Sequence, residues 1–297
     1  MGPENARVVT QYKGTDRTVH APPRRRLGIV WSVPLCIVFA GGGAWAQSGP
    51  AINAGGIVSA AGGGSMVAPG SIASVYGSFG VGAGVWASPG TLPTSLAGLS
   101  MQFDGGVPAR LFYVSDGQVN IQIPWELAGR SQASLTATVG GQTSAPQTVD
   151  LVAYAPAIFS TNSQGTGQGA ILDGAYNVVD TSHPATPGST IVLIYATGLG
   201  GVTNAPASGA GAPGNPLART IASLGVKIGG VPAQIVYAGL APGFAGEYQI
   251  NAKVPANAAT GDAVPVTIAM GGVASNTVAI AVRALAPELS SDRRAGR

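Results

Sequence analysis

Residues 116–127 read DGQVNIQIPWEL, and residues 246–257 read GEYQINAKVPAN, a near copy. In the first, Gln118, Asn120 and Gln122 alternate with Val119, Ile121 and Ile123; in the second, Gln249, Asn251 and Lys253 alternate with Ile250, Ala252 and Val254. Side chains of a strand point alternately to opposite faces, so a period of two puts the aliphatics in a core and the amides on the other side. Each copy reads as a half-buried β-strand, and its recurrence asks whether the surrounding chain repeats too.

It does, in one collinear order. Pro50-Ala51-Ile52 returns as Pro156-Ala157-Ile158, and Pro69-Gly70-Ser71 as Pro187-Gly188-Ser189. Gly105-Gly106-Val107-Pro108-Ala109 returns as Gly229-Gly230-Val231-Pro232-Ala233, followed by the Gln-x-Asn strand and by Pro124 and Pro255. The chain therefore divides into a leader and signal peptide (1–46), a first repeat (47–155), a second repeat (156–286) and a disordered tail (287–297). Each repeat is near the ~100 residues of an immunoglobulin-like sandwich. The second is longer at about 159–174, 200–218 and 239–246, in segments of Gly, Pro, Ala and Ser that suit surface loops rather than added core.

The composition agrees with an all-β chain. Of 297 residues 46 are Gly and 22 Pro, 45% are hydrophobic, and short runs of Val, Ile, Leu and Ala lie between turn residues. A strict collagen triplet is absent, and the apolar runs argue against disorder. Only 9% of residues are charged. The formal charge of +3 is concentrated ahead of the first apolar run; from Gln47 onward nine basic residues face ten acidic ones. No basic stripe exists to neutralise phosphates, so nucleic acid is not expected as a partner.

Residues 24–46, RRRLGIVWSVPLCIVFAGGGAWA, have the basic, apolar and A-x-A regions of an export signal, with cleavage expected after Ala46. An uncleaved anchor is the alternative, since 27–46 is nearly long enough to span a bilayer. After cleavage no membrane span is expected. Cys36 lies inside the apolar run, so the mature chain has no thiol and export brings no disulfide.

The motifs YVSDGQVNIQIP, YAPAIF, YATGLG and YQINAKVP, taken together over about residues 50–283, resemble the acidobacterial Solibacter-type uncharacterised C-terminal domain family. Each repeat also resembles the IPT/TIG class of immunoglobulin-like domains, through VKIGGVPA and the closing Gly-Gly…Ser-Asn strand. The resemblance implies two tandem immunoglobulin-like β-sandwiches and carries no activity with it. In that family the module resembles an appendage of larger secreted proteins.

Chemistry is sparse. His183, in DTSHPATPG, could enlist Ser182 and Asp180, but sequence neighbours rarely form a catalytic triad's geometry and no G-x-S-x-G elbow is present. Asp116 and Glu126 flank the Gln-x-Asn strand, which at roughly 3.3 Å per residue holds them too far apart for a glycosidase pair. No loop gathers the acids that calcium needs. The glycines from Gly165 to Gly169 match a loose G-x-G-x-x-A, but Ile171 and Leu172 after them read as a short strand turning at Asp173-Gly174, so hairpin punctuation is expected. No metal or cofactor is expected.

The amides remain. Gln118, Asn120, Gln249 and Asn251 either brace the backbone of long loops or face a ligand, because planar amides beside an aromatic suit sugars and Trp125 lies just beyond Pro124. Bracing is favoured, since Ala256 stands where the second copy would need that tryptophan. Trp86, in GVGAGVWASPG, either plugs a sandwich end or is an exposed contact, with the plug favoured. Tyr76, Tyr195, Tyr113 and Tyr237 fall at matched positions and are expected in the core or in corner-like bonds. The expectation is an exported, non-enzymatic protein of the extracellular space, outer surface or periplasm, used for cell-surface interaction or adhesion with a protein or polysaccharide. A carbohydrate-binding module and a secreted hydrolase accessory are the alternatives.

Overall fold

The computed structural model describes residues 49–284; the leader, signal and tail expected at 1–46 and 287–297 lie outside them, as do residues 47, 48, 285 and 286. The first repeat forms β1 (Ala51–Ser59), β2 (Met66–Val67), β3 (Ile72–Ser78), β4 (Val85–Trp86), β5 (Ser95–Leu96), β6 (Leu99–Phe103), β7 (Val107–Pro108), β8 (Arg110–Val114), β9 (Gln118–Gln122), β10 (Gln132–Val139), β11 (Gln142–Thr143) and β12 (Gln147–Leu151). The second forms β13 (Ala157–Ile158), β14 (Ile171–Leu172), β15 (Ile191–Thr197), β16 (Leu224–Ile228), β17 (Val231–Pro232), β18 (Gln234–Leu240), β19 (Tyr248–Lys253), β20 (Gly261–Met270), β21 (Val273–Ala274) and β22 (Val278–Val282). Two short 3-10 turns, at Asp104–Gly106 and Trp125–Leu127, are the helical structure among the described residues.

The sheets repeat as the residues do. One sheet of the first sandwich runs β1-β3-β9-β8-β4, and its counterpart β13-β15-β19-β18. The facing sheet holds β12-β10-β6, with β11 on β10 and β7 on β6; its counterpart holds β22-β20-β16, with β21 on β20 and β17 on β16. Register is conserved to the residue. Gln118 pairs Tyr76 as Gln249 pairs Tyr195, and Asn120 pairs Tyr113 as Asn251 pairs Tyr237. Even the bulge in β8 between Leu111 and Tyr113 returns in β18 between Ile235 and Tyr237.

Each sandwich closes around the aliphatic half of its alternation. Val75, Val119 and Ile121 meet Leu99, Met101, Phe103 and Leu135 in the first core; Ile194, Ile250 and Ala252 meet Val226, Ile228, Val266 and Ile268 in the second. A fully buried aliphatic side chain contributes about 1.5–3 kcal/mol, so these two stripes dominate the stability. Gly140-Gly141 and Gly271-Gly272 both take positive φ between paired residues, the two-residue hairpin turn whose twist matches that of strands.

The extra length of the second repeat lands in a defined place. In β1 the pairing with β3 skips from Ile52 to Ile57 over a short bulge. In the second repeat the same point is opened into the loop 159–170, after which β14 resumes the register, Ile171 facing Ile194 as Ile57 faces Val75. The expected short strand at Ile171-Leu172 and its turn at Asp173 are both present.

Candidate functional site

Paired residues on neighbouring strands share a face, so the register defines the outer face of the β1-β3-β9-β8-β4 sheet as rows. One row is Val58, Ser74, Asn120, Tyr113 and Trp86. A second is Tyr76 and Gln118, and a third is Ile72, Gln122 and Arg110. In the first two rows the polar atoms bond to one another. Asn120 Oδ1 accepts from Ser74 Oγ at 3.0 Å and from Gln118 Nε2 at 2.8 Å. Among the described residues, Asn120 Nδ2 and Gln118 Oε1 have no hydrogen-bond partner.

The aromatics of these rows are at the surface. Tyr76 is 42% exposed. Trp86 is 37% exposed and lies against Tyr113, with ring centroids 4.7 Å apart and planes at 45°. Trp86 therefore does not plug the sandwich end. It sits on the edge strand β4, paired with Tyr113, because β4 closes the sheet's side rather than its mouth. Tyr76 and Tyr113 are likewise outside the core, since residues alternating with Val75 and Val114 must face away from it.

The same face of the second sandwich is roofed. Leu193 stands where Ser74 stands, and Leu172, Leu193, Tyr195 and Ala241 form a separate apolar cluster under Phe159, Val178 and Phe244. Phe159 and Phe244 come from two of the segments by which the second repeat is longer, 159–174 and 239–246, and Val178 from just beyond the first. Tyr195, the counterpart of Tyr76, is only 6% exposed. The Gln249 Nε2 to Asn251 Oδ1 bond, 2.8 Å, repeats the first copy's pair.

The amide pairs thus bond along their own strands, not to the backbone of long loops as expected, because side chains two residues apart on one strand face are already within reach. Loop bracing falls to other amides. Asn276 accepts from the Ile158 N–H at 2.7 Å and donates to the carbonyls of Ile158 and Gly165 at 2.9 and 2.7 Å, tying down the inserted loop. Gln168 donates to the Val179 carbonyl at 3.1 Å. The signal for Asn276 lay in the repeat: Ser144 and Ser275 make the same bonds, and Ala145 follows the first where Asn276 follows the second.

Gln122, third in the amide row, is buried and belongs to the junction between sandwiches. Its Oε1 accepts from the Gly209 N–H at 2.6 Å, and the Gly209 carbonyl accepts from the Leu92 N–H at 2.8 Å. Ser208 Oγ accepts from the Trp125 N–H at 2.9 Å and donates to Glu126 Oε2 at 2.6 Å. Thr197 Oγ1 accepts from the Ile72 N–H at 2.9 Å and donates to the Gly246 carbonyl at 3.0 Å. The two sandwiches are therefore in direct contact. The Ala155-Pro156 junction, with no linker between the repeats, predicts that direct contact, whereas the part Gln122 plays in it is marked only by a departure from the repeat, Lys253 standing where Gln122 does.

Trp125 is part of that junction too. It is half-buried against the second sandwich's core, and its ring covers Gly70, where a Cβ would collide with it. Beside it Pro69, Arg130, Tyr154, Gly200 and Gly201 help line a cleft of about 410 Å³. Arg130 is held on the rim by Asp104 at 3.0 Å. Trp125 and Trp86 thus belong to different surfaces and cannot form one aromatic platform.

Titratable chemistry is thin. Glu247 is buried, and desolvation pushes its carboxyl up to about 8. The Tyr195 phenol is pushed up to about 12, by burial first and by the charge of Glu247 second. Asp180 accepts from the backbone N–H groups of Ser182 and His183, a turn rather than a catalytic array. No group of three metal-ligating residues occurs among the described residues.

The fold and its register define the class: two tandem immunoglobulin-like β-sandwiches. No family model matches the chain, and no curated protein matches it. Among solved structures, domains 5-6 of the S-layer protein SbsC align with 80% of this chain and 100% of that one, at 14% identity and a TM-score of 0.23. The I9-I11 tandem of titin aligns with 73% of this chain and 62% of that one, at 11% identity and 0.19. The tandem Ig repeats of Dlar align with 74% and 93%, at 15% and 0.18. TM-scores this low transfer nothing about function.

Proposed function

We propose that the protein is an exported, non-enzymatic interaction protein that engages a partner at the cell surface through the outer face of its first sandwich. The observation that supports this is the asymmetry between copies: one sheet face, built in the same register twice, is roofed by the chain's own loops in the second sandwich and open in the first. The bonded junction adds rigidity, so the open face is presented in a fixed orientation to the second sandwich. The basic, apolar and A-x-A run at 24–46 supports export.

The test is binding of purified, labelled protein to envelopes of the producing cells. Saturable binding that falls in Tyr76→Ala and Trp86→Ala, and persists in Val273→Ala on the second sandwich, is expected. Binding that ignores Tyr76 and Trp86 rejects the reading. Mass spectrometry of the exported protein is expected to find Gln47 at its N-terminus, and an intact 27–46 segment rejects cleavage.

A further inference from the structure

We infer that the open face of the first sandwich binds a neutral polysaccharide; this rests on the interaction reading above and names the chemistry of the partner. Four features of the face converge on it.

The open rows carry no charge. Val58, Ser74, Asn120, Tyr113 and Trp86 fill one, Tyr76 and Gln118 the other. The nearest charged groups are at the margins. Arg110 lies in the junction row, packed against Gly209, and the Asp116 carboxylate accepts from the Gly80 N–H at 2.7 Å in the turn before β9. A face without charge complements an uncharged ligand, and its binding has no ion pairs for salt to screen.

The same face shows what protein packing against it requires. Where the chain covers it, in the second sandwich, Leu172 and Leu193 form the apolar end of a row that continues to Asn251, and they lie beneath Phe159 and Phe244. In the first sandwich Ser74, itself buried, replaces that leucine and bonds Asn120, so the floor of the face is polar where the covered copy is apolar. Polar groups and aromatics are left.

Those groups have the chemistry of sugar recognition. The rings of Tyr76 and Trp86 offer surfaces for the apolar C–H face of a pyranose, and the contact with Tyr113 restrains Trp86. Between them, Asn120 Nδ2 is a donor and Gln118 Oε1 an acceptor, both without a protein partner among the described residues. A hydroxyl can answer either. The bonds from Ser74 and Gln118 to Asn120 hold the amides in place before any ligand arrives, which reduces the ordering cost of binding.

The span indicates a polymer. Tyr76 lies on β3 and Trp86 on β4, three strand spacings apart in the sheet. At roughly 4.8 Å per spacing that is about 14 Å, wider than one sugar ring.

The test is retention of the purified full chain on cellulose, chitin, xylan, mannan and β-1,3-glucan, with alginate and polygalacturonate as anionic controls. Calorimetry on soluble oligomers of whichever is bound follows. At least one neutral polysaccharide is expected to retain the protein equally at roughly 0.05 and 0.5 M NaCl. Tyr76→Ala and Trp86→Ala are each expected to weaken binding roughly tenfold, with no change in Asn251→Ala. Tyr76→Ala alters an exposed ring, so it reads the face even where Trp86→Ala loosens β4. Retention by none of the neutral polymers, by anionic ones alone, or by neutral ones regardless of Tyr76 and Trp86 overturns the inference. If envelope binding still depends on those residues, the interaction reading survives and the polysaccharide does not; if it does not depend on them, both fall.

Discussion

Replacing Glu247 by Gln should remove a pH dependence that the fold imposes on stability. Glu247 precedes Tyr248 at the start of β19, is buried, and has no salt bridge among the described residues. Burial pushes its carboxyl from 4.5 to about 8. Between those values the folded chain holds a proton that the unfolded chain releases, so unfolding becomes easier as pH rises. The contribution is fully present below pH 4.5 and is lost as pH climbs through about 8. At about 1.4 kcal/mol per pH unit the ceiling is about 5 kcal/mol, and a loss of about 2–3 kcal/mol between pH 5 and 8 is expected once water entry relaxes the site. Urea denaturation across that range measures it. Glu247→Gln keeps the shape and cannot ionise, so the difference between the two proteins cancels the contribution of every group they share. A wild-type stability flat in pH, or a slope that persists in Glu247→Gln, would refute the reasoning.

Three further outcomes follow from the bonds described. Gln122→Ala leaves the Gly209 N–H buried without its acceptor and should cost about 1–3 kcal/mol; in a double-mutant cycle with Ser208→Ala the coupling should be about 0.5 kcal/mol or more, and zero coupling would count against a shared junction. Gly70→Ala and Gly188→Ala both force a side chain into positive φ, costing about 1 kcal/mol. The first also strikes the Trp125 ring, while the second meets only the Ala256 methyl at 3.2 Å, so melting should fall further for Gly70→Ala and partly recover in Gly70→Ala/Trp125→Ala. Asn120→Ala removes the acceptor of Ser74 and Gln118 and should cost about 1 kcal/mol, whereas Asn251→Ala removes one bond; a larger melting loss at Asn251 would contradict that pattern.

Much of the fold was legible because it is local. The alternation around Val119 and Ile121, the Gly-Gly hairpins and the collinear landmarks are statements about neighbouring residues, and the sheets reproduce them strand by strand. The candidate site was less legible. Gln118 and Asn120 could be placed on a polar face, but which atoms they bond depends on Ser74, which is 44 residues from one and 46 from the other in sequence. Trp86 looked like a plug because a glycine-rich loop carries no periodicity to reveal that two of its residues pair with β8.

What the sequence determined by itself is therefore the repeat, the strand content and the division of each Gln-x-Asn strand into an aliphatic and an amide side, all set by periodicity and turn chemistry. Only the tertiary structure decided which amide side stays open. That depends on where the insertions at 159–174 and 239–246 come to rest, and they close over Leu193 and Tyr195 because burying those side chains removes apolar surface from water. No such insertion covers Tyr76, and the same register there becomes a surface.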